Sequence, residues 1–201
     1  MAAALVLLGI FVGWNFLLNE RSQDKDAGKV GIPEKEQVPD VKGLTARRLA
    51  FHDFETGDAG DTVLHLARTG HGGKQSLKMG AQVPFSPGLW IKFRDLDPGD
   101  SSWIRATGFV WFDGLPTAVN CWLVVTCNRD GVNFKYMHFD LGKENLLPGR
   151  WNRVSIDYRI PPVHSPGDVL QAYFWYRGGA VILIDDIEIE LITYSKKKKT
   201  T

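Results

Sequence analysis

From residue 46 to residue 195 the chain repeats one pattern: four to twelve residues rich in β-branched and aromatic side chains, then a short turn. Ten such runs follow one another: RLAFHDFE, TVLHLAR, QSLKMG, LWIKFRDL, SWIRATGFVWFD, NCWLVVTCN, FKYMHFDL, WNRVSIDYRI, VLQAYFWYR and AVILIDDIEIEL. The turns between them, such as SPG, DPGD, RDG and LPG, carry the residues that end strands. Three runs alternate cleanly. In NCWLVVTCN, Trp122, Val124, Thr126 and Asn128 stand opposite Cys121, Leu123, Val125 and Cys127. In FKYMHFDL, Phe134, Tyr136, His138 and Asp140 stand opposite Lys135, Met137, Phe139 and Leu141. In LQAYFWYR, Gln171, Tyr173, Trp175 and Arg177 stand opposite Leu170, Ala172, Phe174 and Tyr176. Successive side chains of a strand point to opposite faces, so each run predicts one core face and one open face. No stretch here holds a 3.6-residue period over three turns. The pattern predicts an all-β, two-sheet antiparallel β-sandwich of the jelly-roll kind.

The ends of the chain differ in kind. AAALVLLGIFVGWNFLL, residues 2–18, is apolar apart from Asn15, about the shortest length that spans a bilayer. Nothing basic precedes it and no small-residue cleavage site follows, which favours an uncleaved anchor over a signal peptide. The expected organisation is a transmembrane helix over 1–18, a polar, proline-containing tether over 19–45, the sandwich over 46–195 and a basic tail over 196–201. The same pattern also suits the last span of a longer membrane protein. Arg21, Lys25 and Lys29 follow the span, and the positive-inside rule then puts the rest of the chain on the cytoplasmic side.

Charge narrows the partners. The whole chain carries 24 basic and 23 acidic residues. Lys196 to Lys199 supply four of the basic ones, leaving 20 against 23, a net of about −3 for the remainder. That balance argues against a nucleic-acid-binding surface. Cys121 and Cys127 lie six apart in one predicted strand, roughly 20 Å at about 3.3 Å per residue. A disulfide needs Cα atoms closer than about 7 Å, so these are read as small buried hydrophobes.

One run breaks the apolar pattern. AVILIDDIEIEL sets Asp185 and Asp186 side by side in an isoleucine-rich strand, and a buried carboxylate needs a partner. Simple alternation puts Asp185 with Ile187, Ile189 and Leu191 on the core face, and Asp186 with Glu188 and Glu190 on the other.

Three motifs now stand in order: Asp53-Phe54-Glu55 at the end of the first strand, the glycine-rich GHGGKQSLKMG of residues 70–80, and the closing ILIDDIEIEL. This order resembles the carbohydrate-binding-module jelly rolls of the galactose-binding-like superfamily, over roughly residues 50–192. The resemblance implies an extracytoplasmic, non-catalytic, glycan-binding sandwich, against the placement favoured by the flanking charges. It also implies a structural calcium ion where the first and last strands meet. Glu55 and one of Asp185 and Asp186 become its candidate ligands, with carbonyls around Gly73 and Lys74. A salt bridge from Asp185 to Arg47, Arg48 or Lys74 is the alternative.

Glycan-binding faces present aromatic rings to sugar rings, with polar groups beside them. Trp122, Tyr136, Trp175 and Arg177 form the expected ligand-facing set, with Asn128, His138 and Asp140 as polar partners. The competing reading of the same faces is a structural or protein-interaction module. A glycoside hydrolase would use Asp186, Glu188 and Glu190, two apart on one face, because glycoside cleavage needs a pair of carboxyl groups. No nucleophile-elbow motif, phosphate-binding glycine loop or zinc-type His/Cys cluster is present in the sequence, and the expectation is a protein that is not an enzyme.

Overall fold

The computed structural model describes residues 36–40, 42–55, 66–99, 101–114, 119–162 and 164–194. Among them are ten strands in two antiparallel sheets. In chain order these are β1 (Leu44–His52), β2 (Leu66–Ala67), β3 (Ser76–Met79), β4 (Leu89–Lys92), β5 (Trp103–Phe112), β6 (Cys121–Arg129), β7 (Val132–Asp140), β8 (Asn152–Arg159), β9 (Val169–Tyr176) and β10 (Ile182–Tyr194). One sheet runs β2-β3-β10-β5-β8 with β1 also paired to β10; the other runs β4-β9-β6-β7. The two-sheet antiparallel sandwich is the architecture that the alternating runs predicted.

The core lies between the sheets. Cys121, Leu123, Val125 and Cys127 of β6 are fully buried there, as are Leu170, Ala172 and Phe174 of β9. Both cysteines are free. Burial pushes the Cys127 thiol up to about 11 and the Cys121 thiol higher still, so both stay protonated and unreactive in the folded chain.

LWIKFRDL is not one strand. After Lys92 the chain turns into a four-residue helix, α1 (Phe93–Leu96), that drops Phe93 and Leu96 into the core and ends at Asp97 in the left-handed region. β1 starts at Leu44, two residues before the expected boundary. Ahead of it, Glu36 accepts from Lys135 Nζ at 2.9 and 3.1 Å and from Arg159 N–H at 2.6 Å, and Val38 N–H donates to Asp157 at 2.9 Å. This part of the expected tether is bound across β7 and β8, one edge strand from each sheet.

The fold class is corrected in one respect: the described residues form the sandwich and include no transmembrane helix. Among the described residues no helix is long and apolar enough to cross a membrane. The stretch 1–18, on which the anchor, the membrane partner and the single-pass placement were expected, lies outside the described residues, as does the basic tail 196–201.

β10 positions everything near the opening motif. Ile182, Leu183 and Ile184 pair with β3, while Ile187 to Tyr194 pair with β1 along the same edge. Between the two partners sit Asp185 and Asp186. On the other edge the register with β5 slips there, from Asp185 opposite Phe109 to Glu188 opposite Thr107. That is a β-bulge, and Asp186 adopts the positive φ of 47° that Asp tolerates better than branched residues.

Candidate functional site

The outer face of the four-stranded sheet gathers the residues that alternation left open. Cross-strand partners share a face, and three rows follow from the register. Trp90, Gln171, Thr126 and Tyr136 form one row across β4, β9, β6 and β7. Tyr173, Val124 and His138 form the next, and Trp175, Trp122 and Asp140 the third. Val124 and Thr126 are buried under their neighbours and make a floor, whereas Trp90 is 58% exposed.

Six of the seven predicted ligand-facing residues lie on strands of this sheet and Arg177 follows the end of β9, but they do different work. Trp175 is only 7% exposed. It lies parallel to Phe85 with 6.4 Å between ring centres, 5.0 Å from Trp122, and beneath the Arg177 guanidinium at 5.3 Å. It is packing that holds Trp122 and Arg177 in place, not a ring open to a sugar. Asn128 is spent on the β6–β7 hairpin, donating to Asn133 at 3.2 Å and accepting from Gly131 N–H at 3.0 Å. Asp140 accepts from Gly142 N–H at 3.1 Å, starting a 3-10 turn over Leu141–Lys143, and pairs with Lys143 at 3.1 Å. Tyr136 and His138 stand 5.6 Å apart on β7. The His138 ring is exposed, and partial loss of its hydration lowers its pKa against the pull of Asp140, so the imidazole is neutral at pH 7 and can both donate and accept.

Trp90 and Gln171 complete the face, and the sequence reading missed Trp90. Its signal was the same alternation: Leu89 and Ile91 pack against the core, so Trp90 and Lys92 point away from it.

Asp185, Asp186 and Glu55 are brought together at one turn, residues 70–75. Asp185 is completely buried, yet not in the core. Ile184 faces Val110, and both belong to the core; Asp185 is opposite Phe109, on the outer face of the six-stranded sheet. The bulge shifts the parity that alternation assumed. The turn covers the carboxylate instead: His71 N–H donates to Oδ2 at 2.6 Å and Asp186 N–H to Oδ1 at 2.8 Å. Burial pushes the Asp185 carboxyl up, opposed by the N–H donors of His71, Asp186 and Gly72. Asp186 Oδ2 meets His71 Nδ1 at 2.7 Å, and Glu55 Oε1 accepts from Lys74 and Gln75 N–H, each at 2.6 Å. His71 stacks on Phe109 with 3.5 Å between ring centres and meets Trp151 edge-on at 5.9 Å.

The geometry of the turn is a poor fit to the expected calcium ion. The three acids face N–H donors, and such a donor set does not fit a hard cation that takes oxygens. Among the described residues no group of three or more His, Cys, Asp or Glu is placed to hold a metal ion. The carbonyls around Gly73 and Lys74 were to be ligands; the turn offers the acids its N–H groups. The alternative salt bridge to Arg47, Arg48 or Lys74 is not formed either. Arg48 pairs with Glu188 at 2.6 Å, and Arg47 donates to Leu96 C=O. Glu188 and Glu190 lie on the outer face of the six-stranded sheet, Glu190 across from Arg48 and Arg105 and Glu188 across from Phe51 and Thr107. They do not line the face that carries Trp90 and Tyr136.

No family model matches the sequence, and no curated protein matches it. Solved structures do, among them several carbohydrate-binding modules. The CBM22-1 xylan-binding domain of Paenibacillus barcinonensis Xyn10C is 18% identical with a TM-score of 0.45, over 73% of this chain and 95% of its own. The C-terminal family 22 carbohydrate-binding module of Clostridium thermocellum Xyn10B is 15% identical with a TM-score of 0.44, over 79% and 97%. A family 16 carbohydrate-binding module is 13% identical with a TM-score of 0.37, over 63% and 84%.

Proposed function

We propose that this chain is a non-catalytic carbohydrate-binding domain that takes a polysaccharide segment across the outer face of β4-β9-β6-β7. The observation that carries the reading is the exposed Trp90 in one cross-strand row with Tyr136. Strands stand about 4.8 Å apart, so the three steps from β4 to β7 separate these two rings by roughly 14 Å. That span suits an oligosaccharide lying across the strands better than a single sugar. Aromatic faces supply apolar area at little conformational cost, and the groups between and beside them are the neutral hydrogen-bonders Gln171 and His138. Trp122 extends the face at its other end, with Arg177 above Trp175 beside it.

Sugar binding here needs no bond cleavage. On the strands of this face Asp140 is the one carboxylate among the described residues, and it is held by Lys143 and the Gly142 N–H. Among the described residues a paired acid and base of the kind glycoside hydrolysis uses is not assembled around Trp90.

Affinity electrophoresis in gels containing soluble xylan, β-glucan or mannan tests the reading. Xylan is the first probe because similar modules are described as binding it. Retarded migration in at least one gel, with no release of reducing sugar on incubation, is the expected result. Unretarded migration in every gel overturns it.

A further inference from the structure

We infer that the junction at which β10 exchanges β3 for β1 is closed by the chain's own donors, the N–H groups of the 70–75 turn and the His71 imidazole, acting where the family resemblance implied a calcium ion.

The need for a clamp comes from the topology. β3 pairs with β10 as far as Ile184, and β1 takes over at Ile187. Asp185 and Asp186 therefore lack a strand partner on that edge, at a point where the bulge has also broken the register with β5. Two acids at this gap replace backbone pairing with side-chain pairing. Asp185 accepts from the N–H of His71 and from that of Asp186, and Asp186 binds the His71 ring. Glu55 does the same from the β1 side, taking the N–H groups of Lys74 and Gln75. One turn thus holds the end of β1 and the middle of β10 together.

Successive N–H groups converging on a carboxylate form a concave anion site. Their positive ends point at the oxygens from 2.6 to 2.8 Å, where a calcium ion would stand at about 2.3–2.6 Å. They repel a cation placed there. The glycines of the turn show how closely it lies on the acids. A Cβ on Gly72 would come within 2.8 Å of Asp186 Oδ2, and one on Gly73 would overlap the Glu55 carboxylate. The backbone of the turn is thus packed directly against the carboxylates. His71, stacked on Phe109, fixes the turn from its outer side.

Thermal unfolding of the full chain, in EGTA and then in millimolar calcium, tests the inference with no variant needed. The expected result is one midpoint in both solutions. His71→Ala should lower it by about 2–6 °C in either solution, and His71→Asn, which keeps a donor near the Nδ1 position, should recover part of that loss. A midpoint that rises with calcium, as any ligand of the native state alone would cause, overturns the inference. A His71→Ala midpoint equal to that of the wild type overturns it too.

Discussion

Asp168 accepts the Arg129 fork at 2.8 and 2.7 Å and the Ser165 N–H at 2.6 Å. These bonds tie the end of β6 to the start of β9, the two central strands of the four-stranded sheet. The Arg129 bonds, stronger than the opposing cost of desolvation, lower the Asp168 carboxyl to about 2. An ordinary Asp titrates near 3.9, so folding favours the ionised form. The stabilisation is complete above about pH 4 and is lost as pH falls through about 2. Asp168→Asn should lower the unfolding midpoint by roughly 2–6 °C at pH 7. Melts across pH 2–7 should show the wild type and the variant converging near pH 2. At this scale much was legible in the sequence. The open and core faces of β6, β7 and β9 follow from uninterrupted alternation. The burial of Trp175 does not, because its cover comes from Phe85, distant in sequence. The hairpin duty of Asn128 and the turn duty of Asp140 were hidden too, since either side chain serves a turn or a ligand equally well.

β10 shows where element-level reading reaches its limit. Two acids in an apolar strand marked a special place, and it was the family resemblance that put Glu55 and one of Asp185 and Asp186 beside the glycine turn. The face of Asp185 did not follow, because a one-residue bulge reverses parity. The partners also stayed hidden: His71 is brought to the acids by strand pairing across more than a hundred residues. β4 carries a prediction of its own. Gly88 precedes it, and a Cβ there would overlap the Ala172 carbonyl oxygen of β9. Both groups in that contact are backbone, so relief requires β4 to move away from β9. Gly88→Ala should therefore cost about 1–3 kcal/mol in urea unfolding. It should also weaken glycan binding, because β4 carries Trp90.

At the scale of the whole molecule the sandwich separates two jobs. The six-stranded sheet holds the clamp at β10, residues 36–38 bridge β8 to β7, and the outer face of the four-stranded sheet is the one proposed to take a ligand. The division explains why a strand pattern alone announced the fold so readily, yet announced the site only in part. A face is a property of register across four strands, and Trp90 joins Tyr136 only once β4, β9, β6 and β7 are set side by side. The most direct test is calorimetric titration of the full chain and of Trp90→Ala with the polysaccharide that retards the wild type most. Saturable wild-type binding is predicted, weakened by about 2 kcal/mol, roughly thirtyfold, in the variant. The melting temperature should not change, since Trp90 is 58% exposed. Equal affinity in the two proteins, or no heat of binding from either, would contradict the assignment of this face.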